Sequence, residues 1–134
     1  MRSMMLMALV ALSLGAQPVA AKPPLREVAE IDDGLLWIGI ADEIRKTCPD
    51  ISARMVSAFS RLNELRNKAL KLGYSADEIK AYVRSDAEKA RMRQRGYAWL
   101  ETKGVAVGDV QGYCALGREE IDRNSSIGSL LRAH

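Results

Sequence analysis

Apolar residues recur every three or four positions along most of this chain, which is the spacing of one face of an α-helix. The first such segment begins at Leu25 and ends near Thr47, because Pro49 restricts the backbone of the residue before it. A second helix is predicted from Pro49 to Leu72, where Gly73 can close it in a left-handed conformation. Its apolar face is predicted to consist of Ile51, Met55, Phe59, Leu62, Leu65, Ala69 and Leu72.

The second half of the chain predicts two more helices. Ser75 and Glu78 have the spacing of a capping box, so a third helix should begin at Ala76 and end before Gly104. Asp109 can cap a fourth helix, with a break expected around residues 124–126. No segment alternates convincingly as a β-strand. Four helices with short connections predict an all-α domain, an antiparallel four-helix bundle.

The N-terminal residues predict export. Arg2 is followed by an apolar run from Met4 to Leu14, and the small residues at positions 19–21 suit cleavage by signal peptidase. The run is short for a bilayer core of about 30 Å, so a retained membrane anchor is the weaker alternative. We expect a signal peptide over residues 1–21, a mature helical domain over residues 22–134, and a periplasmic location.

The two cysteines, Cys48 and Cys114, are predicted to form a disulfide. Export would bring them into an oxidising compartment. An up-down-up-down order of helices would also bring the first junction and the start of the fourth helix to the same end of the bundle. A redox-active pair is the alternative, but the chain has no Cys-x-x-Cys spacing, which favours a structural bond.

Charge and residue inventory exclude several classes of function. After removal of residues 1–21 the chain has 19 basic and 17 acidic side chains, which gives no reason to expect nucleic-acid binding. The only histidine is His134, the last residue, so triads and metal sites that need histidine are not expected. We therefore predict no catalytic residues, no metal site and no cofactor.

Two segments are candidates for contact with a partner. The run from Gly34 to Ala41 has eight consecutive apolar residues, which exceed a single helical face. It is either a central helix covered by the N-terminal arm and the fourth helix, or a docking surface formed by Leu35, Leu36, Trp37 and Ile38. The second candidate is a row of cations on the third helix, which could contact anionic head groups in a peripheral membrane association or an acidic protein, unless it is only a solvated face. This row comprises Lys80, Arg84, Arg91 and Arg95.

One enzyme family shares a short pattern with the chain. The pairs at residues 25–26, 31–32 and 35–36 resemble the opening helix of the all-helical chorismate mutases. That family needs a second cation near the end of the same helix, where this chain has Glu43. Coincidence between two amphipathic helices is the simpler explanation.

A second resemblance extends over the whole predicted mature domain. Short motifs along the chain resemble a family of short exported alphaproteobacterial proteins known only as a domain of unknown function. The motifs are Cys48-Pro49, Arg54, Gly73-Tyr74-Ser75, Tyr113-Cys114 with Leu116-Gly117, Glu120-Ile121, and Ser126-Ile127-Gly128 with Leu130-Leu131. The resemblance implies a periplasmic, paired-cysteine helical protein and an association with accessory subunits of the respiratory NADH:quinone oxidoreductase.

Together these observations predict a non-enzymatic periplasmic protein that acts through protein–protein contact. A membrane complex is one candidate partner. A periplasmic module that binds a small molecule or a lipid is the second hypothesis. A chorismate-mutase-like enzyme is a distant third.

Overall fold

The structure is a computed structural model that describes residues 22–134. The predicted signal peptide, residues 1–21, lies outside the described residues. Residues 22–134 form five α-helices, two short 3-10 helices and one two-stranded sheet. In chain order these are a 3-10 helix Leu25–Glu27, α1 Ala29–Thr47, β1 Ile51–Ala53, α2 Met55–Lys71, α3 Ala76–Arg84, α4 Asp86–Thr102, α5 Val110–Asp122, a 3-10 helix Gly128–Leu130 and β2 Leu131–Ala133.

Helix α1 is the centre of the domain, because α2, α4, α5, β1 and the first 3-10 helix all pack against it. The eight-residue apolar run predicted from the sequence lies in this helix. Gly34 lies close to α2, since a Cβ there would be 2.6 Å from Leu65 Cδ2 and the end of the Leu65 side chain would have to shift. Gly39 has open space instead, with no atom within 4 Å of the Cβ position. The run is therefore largely enclosed by neighbouring helices.

The predicted start of the second helix is wrong. Residues 51–53 form β1, which pairs antiparallel with β2 so that Ile51 faces Ala133 and Ala53 faces Leu131. The Arg54 amide then donates to the Leu130 carbonyl at 2.8 Å, and α2 begins only at Met55. Pairing with the far end of the chain satisfies these backbone groups, and helical periodicity cannot reveal such a distant partner.

The predicted third helix is in fact two helices separated at Ser85. The capping box at Ser75 and Glu78 is confirmed and begins α3. A second cap follows, in which Ser85 Oγ accepts a hydrogen bond from the Glu88 amide at 3.2 Å and begins α4. Five helices and a sheet thus replace the predicted bundle of four helices, although the mainly helical fold is confirmed.

The C-terminal part of the domain is joined to α1 by the predicted disulfide, which is confirmed between Cys48 and Cys114 with a Cα–Cα distance of 5.2 Å. Asp109 caps α5 as predicted, because its Oδ1 accepts a hydrogen bond from the Gly112 amide at 3.2 Å. The expected break also occurs, since Asn124 has a φ of 47° and α5 ends at Asp122. Within residues 22–134, no helix is long and apolar enough to cross a membrane.

Candidate interaction surface

A buried carboxylate connects three helices at one end of the domain. Asp32 of α1 is only 4 % exposed. Arg91 of α4 donates two hydrogen bonds to it, from Nη1 to Oδ2 at 3.1 Å and from Nη2 to Oδ1 at 2.5 Å. Arg95 of α4 and the Tyr82 hydroxyl of α3 also donate to Asp32. These contacts fix α3 and α4 against α1.

The surroundings of Asp32 keep it charged. Burial alone would raise the pKa of this carboxyl, but the hydrogen bond from Arg91, the one from Tyr82 and the charges of Arg91 and Arg95 together lower it below the ordinary value. Burial, followed by the hydrogen bond to Asp32, raises the pKa of Tyr82. The hydrogen bond to Asp32 is the main cause that raises the pKa of Arg91. The cluster is thus a satisfied ionic anchor.

The four cations of the predicted row lie in two different environments. Arg91 and Arg95 belong to the anchor, and Arg95 Nη2 also donates to Asp33 Oδ1 at 2.7 Å. Lys80 and Arg84 lie on α3 and are exposed. The predicted row required all four cations to lie on one continuous helix. The break at Ser85 places Lys80 and Arg84 on α3 and Arg91 and Arg95 on α4. Arg91 and Arg95 have carboxylate partners within the chain, whereas Lys80 and Arg84 take part in no ion pair among the described residues.

The largest apolar exposure among the described residues is on α2. Met55 is 53 % exposed, Val56 86 % and Phe59 60 %. Leu62 is also exposed, and with Met55 and Phe59 it follows the three- and four-residue spacing of one helical face. The sequence predicted Met55, Phe59 and Leu62 on the apolar face of this helix together with Leu65 and Ala69. Burial of that face is observed only for Leu65 and Ala69, and the expectation is wrong for the other three.

This exposed row adjoins a depression that crosses α1. Leu35 lies in it together with Leu62 of α2 and Val83 of α3, around a cavity of about 190 Å³. Leu35, Tyr82 and Val83 also line a second cavity of about 150 Å³, which extends to Met92 of α4. The two cavities share these three lining residues and so lie side by side in the depression.

The predicted partner-binding segment is divided between the core and this surface. Leu36 is 4 % exposed and belongs to the main core, where α4 covers it at Gly96. Trp37 and Ile38 are half-buried and pack against the same core. Leu35 is half-buried and is the one member of the four that lines the depression. The four residues therefore do not form one exposed face.

Two other concave sites lie beside α4. A groove of about 380 Å³ runs between α1 and α4, with Leu36, Ile40, Met92 and Leu100 among its apolar lining and a rim of both charge signs. A smaller cavity of about 230 Å³ lies next to Trp37 and Trp99, whose rings meet edge to face with centroids 5.8 Å apart. Glu120 is buried beside this cavity, with Arg123 Nη1 at 3.6 Å from its Oε1.

One group of side chains has the composition of a metal site. Cys48, Asp50 and Cys114 have ligand-type atoms within 4.8 Å of one another. The two sulfurs are bonded to each other, however, so neither is a thiolate that could bind a metal. Asp50 is exposed and pairs with Arg118 at 3.3 Å. In the disulfide form this group is a covalent link with an ion pair beside it.

Comparison with known protein families identifies the chain's relatives. The profile described as "Family of unknown function (DUF5333)" matches residues 23–132. The chain belongs to this family. No curated protein and no solved structure shows a significant match to it.

In this DUF5333 member, two of the motifs that carried the resemblance meet at the end of α5. A Cβ on Gly128 would lie 1.8 Å from the carbonyl oxygen of Glu120, so position 128 has no room for a side chain. The Gly128 amide donates to Ser125 Oγ at 2.9 Å, which holds the turn. This close approach packs the second 3-10 helix against α5 and leads the chain into β2.

Proposed function

We propose that this DUF5333 protein is a non-enzymatic module that acts through contact with another protein. The observation that carries the proposal is the exposed row of Met55, Phe59 and Leu62 on α2, which continues into the depression at Leu35. A contiguous apolar surface of this kind on a small domain is typical of an interaction site. The interface consists of this row and the depression.

The free energy available to a partner comes from the apolar side chains that α2 leaves exposed. Complete burial of one large apolar side chain contributes about 1.5–3 kcal/mol. Met55, Phe59 and Leu62 are 53 %, 60 % and 39 % exposed, so a partner that covers them can recover about half of this free energy for each. An aromatic side chain at the centre of such a patch, as Phe59 is here, is a frequent hot spot of binding.

The proposed location is the periplasm, which the predicted signal peptide supports and the disulfide is compatible with. The proposed partner is a membrane complex, and the family resemblance suggests the respiratory NADH:quinone oxidoreductase. The module would be an accessory subunit on the periplasmic side of that complex. Under this proposal the protein stays with the complex through its own α2 surface and has no catalytic task.

The experiment that tests this proposal is co-purification from membranes. The tagged full-length chain is produced in its own cells, the membranes are extracted with a mild detergent, and the captured subunits are identified by mass spectrometry. Phe59→Glu should abolish recovery of the oxidoreductase subunits. Val107→Glu is the matched control, because Val107 is 56 % exposed and lies in the turn between α4 and α5.

Two results would contradict the proposal. The first is equal recovery of the complex with Phe59→Glu and with the wild type. The second is absence of the complex from the wild-type capture while intact complex is present in the extract.

A small-molecule binding module is the second candidate, and the groove between α1 and α4 favours it. Its volume of about 380 Å³ falls in the range of small-ligand sites. Gly39 lines this groove with open space at its Cβ position, so Gly39→Leu should fill it without disturbing the fold. Native mass spectrometry of the exported protein would then show an adduct that Gly39→Leu removes. An unliganded mass for both proteins would reject this candidate.

A further inference from the structure

The depression at Leu35, which we call the trough, lies between helices. Leu62 of α2 lies on one side and Met92 of α4 on the other, with Val83 at the end of α3 beside them. Leu35, from the central helix α1, is half-buried at the point that both cavities share. Cavities of about 190 Å³ and 150 Å³ each have room for a large apolar side chain, and two neighbouring side chains of this kind are what one face of an α-helix presents.

The charged residues at this trough are mostly basic. Arg66 of α2 is exposed and lines it, and Lys89 of α4 lines the part next to Met92. Arg84 does not line the trough but follows Val83 directly and is exposed, so its long side chain lies near the rim. The acidic residue at the trough is Glu88, which is bound by Arg26 and by Arg91 Nε at 2.8 Å.

Two of these cations have no carboxylate partner in the described part of the chain. Arg66 and Arg84 take part in none of the ion pairs formed within residues 22–134, whereas Lys89 lies 4.0 Å from Asp86. The rim of the trough therefore offers positive charge that internal carboxylates do not neutralise. A complementary ligand would be apolar along its centre and acidic at its edges.

We infer that the trough binds an amphipathic α-helix of the partner protein, with apolar residues at three- and four-residue spacing and Asp or Glu along its flanks. This inference rests on the proposed function and specifies the partner's binding segment. The apolar residues of that helix pack on Leu35, Leu62 and Val83. Its flanking carboxylates pair with Arg66 and Arg84, which determines the direction and register of the bound helix.

Site-specific photo-crosslinking of the full-length chain in its own cells tests this inference. Leu62→benzoylphenylalanine places the probe in the trough, and Phe59→benzoylphenylalanine gives a second probe at a position that already has an aromatic ring. Val107→benzoylphenylalanine is the matched control outside the trough. Crosslinked peptides are then sequenced by mass spectrometry. We expect the probe in the trough at position 62 and the probe beside it at position 59 to crosslink to one acidic amphipathic segment that the control does not reach.

The possible outcomes separate this inference from the proposed function. A crosslink to a segment of another protein that is neither helical in pattern nor acidic would overturn the inference and leave the proposed function standing. A crosslink to a second copy of this chain would overturn the inference by showing a dimer. A crosslink to lipid, or no crosslink above the control, would overturn both.

Charge reversal tests the acidic flanks separately. The double substitution Arg66→Glu with Arg84→Glu should lower the crosslink yield at position 62 by about tenfold, because it converts two attractive contacts into repulsive ones. Arg132→Glu is the control, since Arg132 is exposed in β2 and has no ion-pair partner in the described part of the chain. An unchanged yield in the double variant, with the same thermal stability as the wild type, would contradict the acidic character of the partner helix.

Discussion

Arg91 binds Asp32 with two nitrogens of one guanidinium group, which joins α4 to the central helix α1. Since Tyr82 of α3 donates to the same carboxylate, one buried side chain determines how three helices meet. The same three helices, together with α2, line the trough at Leu35. The ionic anchor therefore holds the α1, α3 and α4 sides of the proposed binding site in position.

Asp32→Asn should lower the free energy of unfolding by about 2 kcal/mol. Removal of one member of a buried ion pair leaves the others without compensation, which costs about 3–5 kcal/mol when the site is fully dry. The partial exposure of Arg91 and Arg95 reduces this loss. Urea denaturation followed by circular dichroism measures it.

Asp50→Asn is the matched control for this prediction. Asp50 and Arg118 form an exposed pair at 3.3 Å, and such pairs contribute less than about 1 kcal/mol. Equal effects of the two substitutions would show that Asp32 is not an anchor.

Acid should weaken the domain through the same carboxylate. Because the folded-state pKa of Asp32 is lowered, its contribution to stability is fully present above the unfolded pKa, which is about 3.9 for an aspartate. That contribution is lost as the pH falls through the lowered pKa. The melting temperature of the wild type should therefore decrease below about pH 4. Asp32→Asn should show a smaller decrease over the same interval, and parallel curves would contradict the assignment.

Loss of the disulfide should lower the stability of the domain strongly. Cys48 and Cys114 are 66 positions apart, and cross-linking a loop of this size stabilises a protein by about 4 kcal/mol on the chain-entropy model. Cys48→Ser and Cys114→Ser should therefore unfold at lower temperature than the oxidised wild type. The reduced wild type should unfold at the same temperature as the two variants. A difference of several degrees between the reduced protein and the variants would point to an effect of the serine itself.

Local signals in the sequence predicted the helix ends well. The capping box at Ser75, the cap at Asp109 and the left-handed glycine at position 73, with a φ of 95°, all occur as expected. Each depends on residues within one helical turn, so the sequence contains the complete information. The break at Ser85 had the same kind of signal, since Ser85 and Glu88 repeat the spacing of Ser75 and Glu78. It was missed because the apolar periodicity continued across it.

Features that depend on distant partners could not be predicted in this way. The pairing of β1 with β2 joins segments at opposite ends of the domain. The exposure of Met55 and Phe59 has the same origin, because an amphipathic pattern shows that a face is apolar but does not show what covers it. Since no other described element covers Met55 and Phe59 at the N-terminal end of that face, the pattern indicated a core where the fold has a surface.

Ser85→Ala should lower the stability by about 1 kcal/mol, which is the usual cost of a lost N-cap. The substitution removes the acceptor of the Glu88 amide and so weakens the start of α4. Thermal denaturation measures the change. Ser60→Ala is the control, because Ser60 is exposed within α2 and alanine favours a helix there, with a gain of no more than about 0.5 kcal/mol. A cost as large at Ser60 would remove the reason to assign a capping role to Ser85.

Trp37→Glu and Phe59→Glu should separate the core from the interaction surface. Trp37 packs against the main core and meets Trp99 edge to face, so a carboxylate there should lower the free energy of unfolding by about 2–3 kcal/mol. Phe59 is 60 % exposed, and its replacement should change stability by less than about 0.5 kcal/mol. Guanidinium denaturation of both purified variants gives the comparison. A stable Trp37→Glu protein that no longer binds its partner would instead show that the apolar run of α1, residues 34–41, forms the interface. A strongly destabilised Phe59→Glu protein would mean that α2 is covered by its own domain, and the exposed row could then not serve as a binding site.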